Sequence, residues 1–236
     1  MRSLTPRATP NHHTASVSVH RTLRTVRPLL PHELRAARTV PLLFAVLLGT
    51  LICAAAPVFL LPSDPSGVVV LLRFATVLAG LGLAFVLDDP ASDMTAACPS
   101  PCWLRRLLRI VGGLMALITA WWLDIALLTM ALPADAHAGL PLVDLAAECL
   151  IMALVTVAFA LAGLRFTRGL GGGLLGGGAV ALLALVLAML PPEFAFYADP
   201  DDPRGWAESL PRWRVLGAAA LALTVLLLPR HPSGKR

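Results

Sequence analysis

Six long apolar stretches follow one another along the chain, divided by short polar segments: Thr39–Leu61, Val68–Leu87, Ile110–Leu132, Leu145–Leu164, Gly169–Leu190 and Val215–Leu228. The first five reach the roughly 20 residues that carry a helix across about 30 Å of hydrocarbon at 1.5 Å per residue. The sixth has 14 residues. Trp213 extends it as an interfacial anchor, with Arg214 snorkelling outward. The pattern predicts an all-α fold: a polytopic membrane protein whose six transmembrane helices occupy residues 39–228. A basic tail, 1–38, precedes them and a short basic tail, 229–236, follows. The first twenty residues, rich in Ser, Thr, His and Pro, read as disordered. His32–Arg38 follows Pro31, which suits a first helical turn, and is expected to form a short membrane-surface helix. Cys53-Ala54-Ala55-Ala56 faintly resembles a processing site. The polar region before it is too long for a signal peptide, so the first run is expected to be retained.

Composition supports the membrane reading. Of 236 residues, 57% are hydrophobic and 14% charged, with a mean hydropathy of +0.77; a soluble domain carries about 25% charged residues. The net charge of +5 comes from 18 Arg, one Lys and 14 acids. That bias, with abundant Ala, Leu, Gly and Pro, points to a high-GC genome. Basic charge suits nucleic acid or a membrane surface, and its distribution decides. With both ends inside, the inner segments hold fifteen Lys and Arg and the outer ones three, while Arg73 falls within a span. Asp64, Asp135, Asp144, Glu193, Asp199, Asp201, Asp202 and Glu208 fall outside. This asymmetry predicts N-in/C-in topology, contact with membrane lipids rather than nucleic acid, and a multi-pass protein of the cell (plasma) membrane.

Three ionisable residues lie within spans: Arg73, Asp124 and Glu148. Charge in a bilayer is costly and faces protein or water. All three fall in the outer half, where Arg73 could pair with either acid. They form either an intramembrane ion pair or part of a substrate cavity or proton-linked site. Trp121 and Trp122 beside Asp124 are lipid-facing bulk or a cavity wall. Loop 88–109 is the longest inner connection. Asp89-Pro90 marks a turn and Asp93 a possible helix cap. Arg105, Arg106 and Arg109 sit where anionic lipid would anchor them. Cys98 and Cys102 lack companion ligands, so no metal site is expected. Gly171–Gly178 contains GxGxxG by spacing, but it opens an apolar span; close helix packing is the expectation, not a dinucleotide. The chain holds no GxxxxGK[ST], HExxH or GxSxG. No cofactor is expected, and the chain is not expected to be an enzyme.

The layout resembles the membrane subunits of ABC-2-type exporters. The parts concerned are residues 21–38 (a surface helix before the first span), loop 88–109 (a coupling loop) and loop 191–214 (an outer segment before the last span). Leu87-Asp88-Asp89-Pro90-Ala91 through Thr95-Ala96 to Arg105, Arg106 and Arg109 is also similar to ABC-associated membrane proteins of high-GC bacteria. So is Tyr197-Ala198-Asp199-Pro200-Asp201-Asp202-Pro203-Arg204. The resemblance implies the permease subunit of a transporter, an exporter, energised by a separate cytoplasmic ABC ATPase and assembled as a homodimer or heterodimer of permease subunits. Asp88, Asp89, Pro90 and Asp93 would then form the ATPase docking loop. The alternatives are a non-transporting membrane anchor or regulator, and an intramembrane enzyme using Asp124 and Glu148.

Overall fold

The computed structural model describes residues 39–59, 65–88, 102–130, 132–133, 139–167 and 171–228. The expected surface helix, Asp89, Pro90, Asp93 and both tails lie outside them. Six long helices emerge: α1 (Thr39–Phe59), α2 (Pro65–Val86), α3 (Cys102–Thr129), α4 (Leu142–Phe166), α5 (Gly172–Met189) and α6 (Pro203–Leu227), with a 3₁₀ turn at Pro192–Phe194 before α6. All six are long and apolar enough to cross a membrane. No strand occurs among the described residues.

Two boundaries differ from expectation. α3 starts at Cys102, eight residues before the apolar run, so Arg105, Arg106 and Arg109 are helical rather than part of a loop. α6 has 25 residues and starts at Pro203, well ahead of Val215. Pro203 sits in the first turn, where its missing N–H costs nothing and its fixed φ suits a helix. Hydropathy missed this because the added turns are polar and carry Trp206, Glu208 and Arg212.

Cross-contacts show the helices alternating in direction. The starts of α1, α3 and α5 meet the ends of α2 and α4: a Cβ on Gly82 would lie 2.7 Å from Leu42 Cα, and one on Gly163 2.6 Å from Gly172 O. This is the basic end, with Arg105, Arg106, Arg109 and Arg165. At the opposite, acidic end, α2 and α4 begin beside the segment before α6, bringing together Asp144, Glu148, Asp199 and Asp201.

α2 and α4 form the centre, each with more than half of its apolar window buried, against 11% for α6. Leu72, Leu83, Leu117, Leu128, Val157 and Val180 are nearly inaccessible. α1 turns Val40, Leu43, Phe44, Leu47 and Leu51 outward in a stripe at helical spacing. An apolar face of this length suits lipid rather than water. Polar hydroxyls inside the bundle close on their own helix: Thr76, Thr156 and Thr224 each donate to the carbonyl four residues earlier at 2.8 Å. That gives each hydroxyl an acceptor within its own helix.

The glycine-rich stretch packs as its spacing predicts. Gly172 and Gly176 face α4, where added Cβ atoms would come within 2.6–2.7 Å of Leu164 and Ala160. Gly173 faces α2, 2.8 Å from Phe85 Cα by the same measure. α5 thus inserts between the two central helices backbone-first. Gly171, at φ 77°, supplies the left-handed turn that starts it.

Candidate functional site

The polar residues of the spans gather near the acidic end, in two separate arrangements. In the first, Arg73 reaches from α2 to α4 and grips Glu148 with two parallel bonds: Nε to Oε2 at 2.8 Å and Nη2 to Oε1 at 2.9 Å. Both side chains are largely buried, at 13% and 5% exposure. The planar guanidinium matches a carboxylate in this geometry, which a lysine cannot reproduce. Of the two acids within the spans, it is Glu148 that Arg73 contacts.

Arg73 has further partners. Its Nη1 donates to Ala198 O at 2.8 Å, in the segment leading to α6. The guanidinium carbon lies 5.2 Å from the ring centroids of both Tyr197 and Trp206, within cation–π range. Trp206 is itself fixed, its Nε1 donating to Asp144 Oδ2 at 3.0 Å. Trp213 packs edge-on against Phe196 and donates from Nε1 to Phe196 O at 2.9 Å. It is fully buried, so its expected role as an interfacial anchor is corrected: it is a structural pillar about two turns beyond Trp206.

Beneath this arrangement lies a cavity of about 10 Å³, lined by residues including Thr76, Trp121, Glu148, Cys149, Tyr197 and Trp213. That is about the space one water occupies. The Tyr197 hydroxyl is buried and has no hydrogen-bond partner among the described residues. Burial, reinforced by the Glu148 charge and opposed by Arg73, pushes its pKa up to about 12, so it stays a neutral phenol at physiological pH. Of the tryptophan pair, Trp121 forms the cavity wall and Trp122 faces outward.

The second arrangement holds Asp124. Its side chain is buried on α3, and Thr50 of α1 donates to its Oδ1 at 2.7 Å. Thr50 thus departs from the helix-internal habit of the other threonines. The sequence offered no signal for this pairing, since Thr50 and Asp124 are 74 positions apart.

Among the expected docking and anchoring residues, Asp88 is buried, with its Oδ1 accepting from Gly173 N–H at 2.8 Å. It caps the N-terminus of α5, where a carboxylate meets unpaired amides and the positive end of the helix dipole. Arg105 and Arg109 are buried at 7% and 3% exposure. Arg106 is half-buried.

The segment before α6 is held at several points. Ser66 Oγ, at the start of α2, donates to Asp199 Oδ1 at 2.8 Å and lies 3.1 Å from Asp201 Oδ2. The Asp201 backbone N–H and then the Ser66 hydroxyl hold the Asp199 carboxyl below the usual carboxylate range. Arg212 donates to the carbonyls of Ala195 and Glu193, each at 2.7 Å. Tyr197, Trp206 and the Ala198 carbonyl were missed as site residues. Two tryptophans seven apart on one helix face were the available signal.

Six apolar helices around a buried polar centre define a multi-pass helical membrane protein. Compared with known protein families, curated proteins and solved structures, the chain matches none of them. Among the described residues no group of three or more His, Cys, Asp or Glu is placed to hold a metal ion.

Proposed function

We propose that the chain is the membrane-spanning subunit of an ABC-type transporter, an exporter in the plasma membrane, energised by a separate cytoplasmic ATPase. The observation that carries this reading is the tie between Asp88 and Gly173. The connection between α2 and α3 leaves from a residue locked to the start of α5 and ends where α3 begins at Cys102. A partner pushing on residues 89–101 would therefore move α2, α3 and α5 together. That is what a subunit without its own P-loop needs in order to receive motion from outside.

In this reading the basic end faces the cytoplasm, following the bias of Arg and Lys. Reporter fusions after Arg38, within 92–104 and after Arg230 read as cytoplasmic, and those at Ala136 and Asp201 as external. Docking falls to Asp89, Pro90 and Asp93, while Asp88 positions α5. Two permease subunits together complete the transporter.

Co-purification tests the proposal. The chain, expressed with the ATPase encoded beside it, elutes with that ATPase. Crosslinkers placed at Ala91 or Thr95 capture the ATPase. An Asp89→Ala/Asp93→Ala variant inserts normally but loses the partner and ATP-dependent transport. A stable chain that recruits no ATPase overturns the reading in favour of a membrane anchor.

A further inference from the structure

We propose that Arg73 is a latch holding a lid, residues 191–202, closed over the cavity at the acidic end of the bundle. The inference stands on geometry alone and does not require the transport reading. Three structural units converge on one guanidinium. α4 supplies Glu148, the lid supplies the Ala198 carbonyl and the Tyr197 ring, and α6 supplies Trp206.

The lid has few apolar anchors of its own. Pro191, Pro192, Glu193 and Phe194 are exposed, and the buried part is confined to Ala198 with Phe196 and Tyr197 half-covered. Its remaining ties are ring contacts of Phe196 and Tyr197 with Trp213 and hydrogen bonds: Ser66 to Asp199, Arg212 to Ala195 and Glu193, and Trp213 to Phe196. Two of these three donors belong to α6, so they move with the lid if α6 moves. Arg73 and Ser66 are the ones that bind it to α2. Releasing Arg73 removes the strongest of those links and simultaneously unpairs α2 from α4. The opening of the cavity toward the acidic side would then widen.

The chain carries its own reporter. Cys149 lines the cavity, sits next to Glu148 and is buried at 4% exposure. In a Cys53→Ala/Cys98→Ser/Cys102→Ser background, it is the sole thiol. The reagent is a small charged methanethiosulfonate, added to the protein in lipid nanodiscs, where both faces are accessible. In the latched parent, Cys149 reacts slowly. Arg73→Gln and Glu148→Gln each accelerate labelling about tenfold or more, because a buried pair deprived of one partner no longer favours the closed state. Arg73→Lys keeps the charge but not the two-bond grip, and falls between. The exchange Arg73→Glu/Glu148→Arg restores part of the protection.

Unchanged labelling in Arg73→Gln and Glu148→Gln, with the parent's elution profile and melting behaviour, overturns the latch. If both variants unfold, Trp206→Leu and Ser66→Ala decide. They leave the ion pair intact while loosening the lid, so faster labelling supports the proposal and parental rates refute it.

Discussion

Glu148 and Asp124 are two carboxylates buried to the same 4% exposure on different helices, yet they are held in opposite ways. Glu148 receives a guanidinium through two bonds of 2.8–2.9 Å. Asp124 receives one threonine hydroxyl at 2.7 Å. A charge-matched acid ties elements together, since separating it strands two ions. A hydroxyl-bound acid ties little, since its partner remains neutral when it leaves. The first arrangement is a fastening and the second is a local contact between α1 and α3.

That contrast can be broken at its strong side first. Arg73→Leu leaves Glu148 uncompensated and should cost about 3–5 kcal/mol, read as a lowered melting temperature of the purified protein in detergent. Arg73→Leu/Glu148→Leu should recover most of the loss. A double variant as unstable as the two singles summed would show that the pair is not what holds α2 to α4.

At the weak side, Thr50→Val should cost about 1–3 kcal/mol by leaving a buried carboxylate oxygen without its donor. Asp124→Asn keeps an acceptor oxygen for Thr50 and should change stability by about 1 kcal/mol or less. A large loss in Asp124→Asn would show that the full charge matters there and would erase the contrast with Glu148.

A third acid, Asp88, sharpens the comparison from the basic end, since among the described residues it is held by a backbone amide. Gly173→Ala would place a Cβ 2.7 Å from Asp88 Oδ2 and 2.8 Å from Phe85 Cα. It should destabilise by about 1–3 kcal/mol through overpacking. Gly178→Ala, with nothing within 4 Å, should be neutral or slightly stabilising, because alanine favours the helix by up to about 1 kcal/mol. Equal effects at the two glycines would discard the close-packing account of α5.

The smallest effect concerns pH. The Asp199 carboxyl is held below its ordinary value in the folded chain. Its contribution is therefore fully present above the unfolded pKa of about 3.9 and is lost as pH falls through the lower folded value. Acidification into that range should loosen the Ser66 contact and slightly raise Cys149 labelling. Ser66→Ala should abolish that increment. An increment surviving Ser66→Ala would assign the acid sensitivity elsewhere.

Helix number and rough placement were legible because hydrophobic runs set them without reference to tertiary structure. The start of α6 was not, since a polar helix above the apolar layer has no hydropathy signature; it is stabilised by Trp206 donating to Asp144 of α4 and by Arg212 and Trp213 finding partners in the segment before it. The involvement of Arg73, Asp124 and Glu148 was legible from the cost of burying charge. Which acid took the arginine depended on helix rotation, which the sequence does not display. Asp88 shows the converse. Read along the chain, it belongs to an acidic loop; in space it meets an amide 85 positions away. The double glycine at 172–173 leaves that amide uncovered, and this link became visible only when α5 was placed against α2.

The tight cavity under Arg73 also has an electrical meaning. Protons cross hydrophobic layers along unbroken files of hydrogen-bonded water. A space of about 10 Å³ holds one molecule, and one molecule does not make a file. The guanidinium on its wall is neutralised by the Glu148 carboxylate, and the phenol beside it does not ionise near neutral pH. With the arginine seated, this cavity offers no continuous file of water along the bundle.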